Sequence, residues 1–143
     1  MTQNFSDNSI DRAIAGAKIV AVVGFSANAD RPVRGVSDYL QRAGLRIIPV
    51  NPGLAGQVLM GETVYASLSD IPAEIAVDTV DVFRRSEQVP AIAAEAVQHL
   101  PHLRTLWLQM GVTSPEARAL AQEKGVNFIE DRCLKVEHRL RAG

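Results

Sequence analysis

Five short apolar runs, each closed by a turn and most followed by a stretch of helical period, constrain this chain more than any other feature. The runs are "KIVAVVG", "LRIIPVNP", "AVDTVDVF", "LRTLWLQMG" and "VNFIED". A nearly continuous β-branched run such as "KIVAVVG" suits a strand covered on both faces, the habit of parallel sheets. Between the first two, "VRGVSDYLQRAG" sets Val33, Val36, Tyr39, Leu40 and Ala43 at helical spacing, and Gly44 makes a stop. "SEQVPAIAAEAVQHL" and "SPEARALAQEKG" give two more helices, with Ser86 and Ser114 as expected N-caps and Pro115 in the first helical position. A short helix is expected over residues 9–17, a last one over "RCLKVEHRLRAG", and a short element at "VYASLSDIP". Pro49 is the one irregular residue inside a run, and Gly53, Gly56 and Gly61 mark a loop after it. Strands alternating with helices fold economically as an α/β domain: an open, parallel, five-stranded sheet with helices on both faces. One domain is expected over 1–143, with a flexible polar start at 1–8.

Bulk properties exclude several classes. A 143-residue chain that is 47% hydrophobic and 22% charged has the makings of one buried core. The net charge of −1 gives no global attraction to nucleic acid or acidic membrane, so any anion site has to be local. A single cysteine excludes an intramolecular disulfide and fits a reducing compartment. The start "MTQNFSDNSIDR" is unlike a signal peptide, and no apolar run nears membrane-spanning length. A cytoplasmic location is expected.

Open sheets bind ligands beyond the carboxyl ends of their strands, where strand order reverses. Five segments gather there: 24–32, 51–53, 83–86, 109–111 and the chain from Asp131 onward. Gly24 provides a sharp turn without a Cβ to hold phosphate away. Ser26 and Asn28 are polar, and Arg31 and Arg34 bring two cations to the helix start that follows Pro32. The fingerprint G-x-G-x-x-G is absent, because Phe25, Ser26 and Ala27 follow Gly24. The second strand ends "PVNPG" (Asn51, Pro52, Gly53), without the carboxylate that anchors a ribose in nicotinamide-dinucleotide proteins. Arg84 and Arg85 close the third strand after Phe83, and Gln109, Met110 and Gly111 close the fourth. The two arginines suit an anion; the amide and the bare backbone suit a ligand slot. Trp107 reads as core. No metal motif and no nucleophile–base pair stands out: Ser26 has no neighbouring histidine, and His99 and His102 sit where a helix ends. In "DRCLKVEH" Cys133 reads as a small filler, with Arg132 and Glu137 tying the tail down.

The ordered set "VVGFSANADRP", "PVNPG", "VYASLSDIP", "VDVFRRSEQVP", "WLQMGV" and "DRCLKVEH" resembles the CoA-binding domain family. These are small stand-alone proteins similar to the Rossmann-like CoA-binding domain of the succinyl-CoA synthetase α-subunit. The resemblance spans residues 18–139. It implies coenzyme A across the carboxyl edge: Gly24, Phe25, Ser26, Arg31, Pro32 and Arg34 around the pyrophosphate, and Asn51, Pro52 and Gly53 beside the nucleotide. Phe83, Arg84 and Arg85 would border the adenine side, and Gln109, Met110 and Gly111 the pantetheine path. The synthetase subunits typically carry a lysine where this chain has Leu54, and their phosphohistidine domain is absent. The expectation is a protein that binds CoA or acyl-CoA without evident catalysis of its own. Its alternatives are an NADP-dependent oxidoreductase and an interaction module with a vestigial cleft. A mixed disulfide between Cys133 and the CoA thiol, a second copy of the chain and a protein partner stay open.

Overall fold

The structure, a computed structural model, describes residues 7–142. In chain order it contains α1 (Asp7–Gly16), β1 (Ile19–Val23), α2 (Pro32–Arg42), β2 (Arg46–Val50), β3 (Val58–Leu59), β4 (Glu62–Thr63) and β5 (Thr79–Val82). Then come α3 (Val89–His99), β6 (Thr105–Leu108), α4 (Pro115–Glu123), β7 (Asn127–Ile129) and α5 (Leu134–Ala142). The five expected strands form one sheet in the order β2-β1-β5-β6-β7, and every pairing is parallel. The chain steps from β1 to β2 on one side, then restarts at β5 on the other. Strand order therefore reverses between β1 and β5.

Alternation along the strands divides the core into two layers. Val20 and Val22 of β1 and Trp107 of β6 face α1, α2 and α5, meeting Ile10, Val36, Leu40 and Leu134. Ala21, Val23, Val80 and Val82 face the other way, against Val89, Ala93 and Ala96 of α3 and Ala117 and Ala121 of α4. The alanines let α3 and α4 lie close together, whereas Trp107 is fully buried, as its sequence context implies. Its Nε1 donates to the Arg132 carbonyl at 2.8 Å, which satisfies the one polar atom of that side chain.

Several local features bear on the sequence expectations. The first helix begins at Asp7, so residues 7 and 8, expected to be flexible, are helical; the rest of that expectation, residues 1–6, lies outside the described residues. Ser86 does not cap α3, because a 3₁₀ turn (Ser86–Gln88) intervenes, and its Oγ instead accepts from the Thr113 amide at 3.0 Å. Ser114 does cap α4, accepting from Ala117 N. The glycine loop contains the hairpin β3–β4, turned by Met60 and Gly61 with φ of 58° and 73°. Glu62 of that hairpin pairs with Arg46 at 2.6 Å, covering the edge strand β2 that carries Pro49. The short element is a 3₁₀ turn, Leu68–Asp70.

Candidate functional site

At the reversal point, β1 and β5 end so close together that only glycine fits. A Cβ on Gly24 would lie 2.4 Å from the Phe83 carbonyl oxygen, and Gly24 has a φ of +90°. The chain then folds back on β2, since the amides of Gly24 and Phe25 both donate to the Val50 carbonyl, at 3.1 and 3.2 Å. Phe25 itself is fully buried and packs with the α2 layer. Asn51 joins the ends of β1 and β2: its Nδ2 donates to the Phe25 carbonyl at 2.6 Å, and its Oδ1 accepts from Gly53 N at 2.8 Å.

The loop from Ser26 to Arg31 is braced by its own polar atoms. Ser26 Oγ accepts from Asn28 N, Asn28 Oδ1 accepts from Asp30 N, and Arg31 N donates to the Asn28 carbonyl. Arg34 turns back on this loop. Its Nη1 donates to the Ala27 carbonyl at 3.1 Å, and its guanidinium lies 5.4 Å from the centre of the Phe25 ring. Arg31 is exposed. Helix α2 opens with Pro32 and no side-chain cap, so the positive end of its dipole is open at the crevice rim.

Two grooves meet across this point. One, of about 490 Å³, is lined by Pro32, Phe83, Arg85, Gln109, Met110 and Gly111, among others. The second, of about 450 Å³, runs between the ends of β1 and β2 and helix α3, along Val23, Val50, Pro52, Leu68 and Ile92. Arg84 lines both. Among the described residues neither Arg84 nor Arg85 has an ion-pair or hydrogen-bond partner for its guanidinium, and Glu87 is not paired with them. Glu95 closes the far end of the second groove, where its Oε2 accepts from Ser69 N.

Of the residues expected at the site, seven therefore share the first groove, and Pro52 joins Arg84 in the second. Gly24, Phe25, Asn51 and Arg34 shape the loops instead of lining either groove; Ser26, Arg31 and Gly53 also lie outside both linings. Gln109 is nearly buried, and its Oε1 accepts the first amide of α5, from Leu134, at 3.1 Å, which ties the side chain to the start of that helix. Asp131, with φ of 58°, locks the neighbouring loop by accepting from Gly111 N at 2.7 Å. Cys133 is half-buried at the same edge, in contact with the α2 layer. His138 is hydrogen-bonded through Nδ1 to the Tyr39 hydroxyl at 2.9 Å, and Arg132 reaches Glu137 at 3.7 Å. Leu54, where the synthetases have a lysine, packs against that same layer. The lining from α3 and the 68–70 turn escaped the sequence reading. Gln88, Ala91, Ile92 and Glu95 carry no motif, and only their i, i+3, i+4, i+7 spacing marks a shared face.

Among the described residues no three metal-binding side chains come together, and no helix is long and apolar enough to cross a membrane.

Comparison with known proteins agrees with this architecture. The uncharacterized protein YneT of Bacillus subtilis (strain 168) is 40% identical over 136 residues, covering 95% of this chain and 96% of its own. A Thermus thermophilus structure, cell-free ID.343, matches with a TM-score of 0.85 at 35% identity over 94% of this chain and 98% of that one. A hypothetical protein from Pyrococcus horikoshii OT3 matches with a TM-score of 0.87 at 26% identity over the full length of both. The sequence profile of the CoA binding domain matches residues 18–139. The chain belongs to the CoA-binding domain family.

Proposed function

We propose that the carboxyl-edge crevice binds coenzyme A or an acyl-CoA, and that the chain acts as a single-domain binding protein without catalysis of its own. The observation that carries this reading is the position of Arg84, an unpaired cation between two grooves. A ligand with a central pyrophosphate and an arm on either side suits such a ridge. CoA is that kind of molecule, its pyrophosphate flanked by a 3′-phosphorylated adenosine and by pantetheine. The groove along Val50, Pro52 and Ile92 is the more apolar and would take the adenine, with pantetheine beside Phe83, Met110 and Gly111. Arg84, Arg85 and the uncapped start of α2 would hold the pyrophosphate. In this reading Arg84 separates the two arms, and the adenine side moves toward α3. CoA would supply a thiol or thioester at the pantetheine end; the residues described here bind and orient it. A cytoplasmic location belongs to the same proposal, because cellular CoA chemistry runs in a reducing compartment that suits one free cysteine.

Calorimetric titration with CoA, acetyl-CoA, NADP and NAD under reducing conditions tests the proposal. Micromolar binding of CoA or acetyl-CoA without a response to NADP is expected. Preference for NADP would replace the reading with an oxidoreductase, and no binding at all would leave an interaction module.

A further inference from the structure

A cleft at the opposite, amino edge of the sheet plays no part in the crevice. It is about 560 Å³, larger than either groove, and opens between α1, the starts of β6 and β7, and α4. Among the described residues three arginines line it, Arg12 from α1, Arg104 just before β6 and Arg118 from α4, and no carboxylate does. Arg118 pairs with Glu130 and lies 5.3 Å from the centre of the Phe128 ring. Arg12 and Arg104 are exposed and have no acidic partner among the described residues. Among the described residues Arg12 reaches Ser9 Oγ, at 3.4 Å.

This is a local exception in a chain with 16 acids for 15 lysines and arginines. Arg46 and Arg141, by contrast, each sit on a carboxylate, at 2.6 Å. The walls are fixed. Asn127 Nδ2 donates to the Ser9 carbonyl at 2.8 Å, pinning the first turn of α1 to β7, and the amides of Arg104 and Thr105 both donate to the Asp78 carbonyl. Leu103 and Val126 add apolar surface. The volume falls in the range of small-ligand sites. Guanidinium forks match phosphate and carboxylate oxygens, so two cations without an acidic partner suit an anionic ligand.

We propose that this amino-edge cleft is a second binding site, for a small organic polyanion that carries phosphoryl or carboxylate groups on a partly apolar body. It is independent of the carboxyl-edge crevice.

The test is an amide chemical-shift titration of the full chain with inorganic pyrophosphate and, separately, with citrate. Saturable shifts are expected at Ser9, Arg104, Thr105 and Asn127 with at least one of the two; which one responds identifies the phosphoryl or the carboxylate class. The double change Arg12→Ala and Arg104→Ala should weaken that binding at least about tenfold. Arg84→Ala with Arg85→Ala should leave it unchanged. Both cleft arginines are exposed, so urea midpoints should confirm that the variant folds; should it not, Arg104→Gln alone supplies the comparison. Shifts confined to the carboxyl edge, affinity indifferent to Arg12 and Arg104, or no response to either anion would overturn the proposal. Failure of CoA binding would appear at the other edge and leave this titration intact.

Discussion

Asp81 gives the sharpest quantitative test of the core. It lies in the centre of β5, in register with Val22 and Trp107, is fully buried, and neither carboxyl oxygen has a hydrogen-bond partner among the described residues. Ser37, fully buried on α2, is likewise unpartnered. Desolvation disfavours the carboxylate and raises the Asp81 pKa well above its ordinary value. The folded protein then binds a proton that the unfolded chain releases near pH 4. The associated stability is complete below the unfolded pKa and is lost as pH rises toward the folded one. The slope is at most about 1.4 kcal/mol per pH unit. Asp81→Val keeps the approximate volume and removes both the ionisation and the unpartnered oxygens. It should stabilise the fold by about 1–4 kcal/mol at pH 8. The assay is urea unfolding of wild type, Asp81→Val and Asp81→Asn from pH 5 to 8. Subtracting the variants removes the shared titration of surface carboxylates. The advantage of the variants over wild type should widen as pH rises, up to the folded pKa. A gap that stays constant over this range, or a wild type more stable than Asp81→Val at pH 8, would refute the argument from burial.

Four further outcomes follow from the carboxyl edge. Gly24→Ala forces a left-handed alanine against the Phe83 carbonyl and should lower stability by at least about 1–2 kcal/mol; an unchanged urea midpoint would contradict that close approach. Arg84→Ala with Arg85→Ala should weaken CoA binding by about 1–3 kcal/mol while changing stability by less than about 0.5 kcal/mol, because neither guanidinium has an internal partner. Calorimetry beside urea unfolding separates those two effects. Gln109→Ala removes the acceptor at the start of α5 and should cost about 1 kcal/mol in stability, read from the same unfolding curves. Cys133, half-buried at this edge, should form a mixed disulfide with oxidised CoA if the pantetheine runs past Gly111; mass spectrometry of unreduced protein without an adduct would place the thiol out of reach.

Strands and helices were legible because their signals are periodic and repeated. "KIVAVVG" and "LRTLWLQMG" became β1 and β6, and Val33, Val36 and Leu40 became one buried face of α2. The sheet order follows from two facts together, parallel strands and a reversal after β2, and only the first is local. Single residues were harder. Ser86 has the composition of an N-cap, but a cap also requires an extended backbone with the helix amides ahead of it, and the 3₁₀ turn takes that position. The β3–β4 hairpin was obscured because its strands have two residues each, too few for alternation to register.

At the site, residue type was readable from sequence and side-chain direction was not. Arg31 and Arg34 read alike as cations beside a glycine turn, yet Arg34 turns inward because a buried aromatic ring and a loop carbonyl lie within its reach. Asn51 makes the same point in reverse. The lack of a carboxylate at the end of β2 argues against a ribose anchor, and the structure adds a cause that needs no ligand. Asn51 donates to one loop and accepts from the next, whereas an ionised aspartate at that position would set an oxygen against the Phe25 carbonyl. The asparagine is required by the junction of two loops before any nucleotide is considered. The groups that the fold leaves unsatisfied, the guanidiniums of Arg84 and Arg85 and the open end of α2, are those assigned to a pyrophosphate in the proposed reading, and they are the groups to change first.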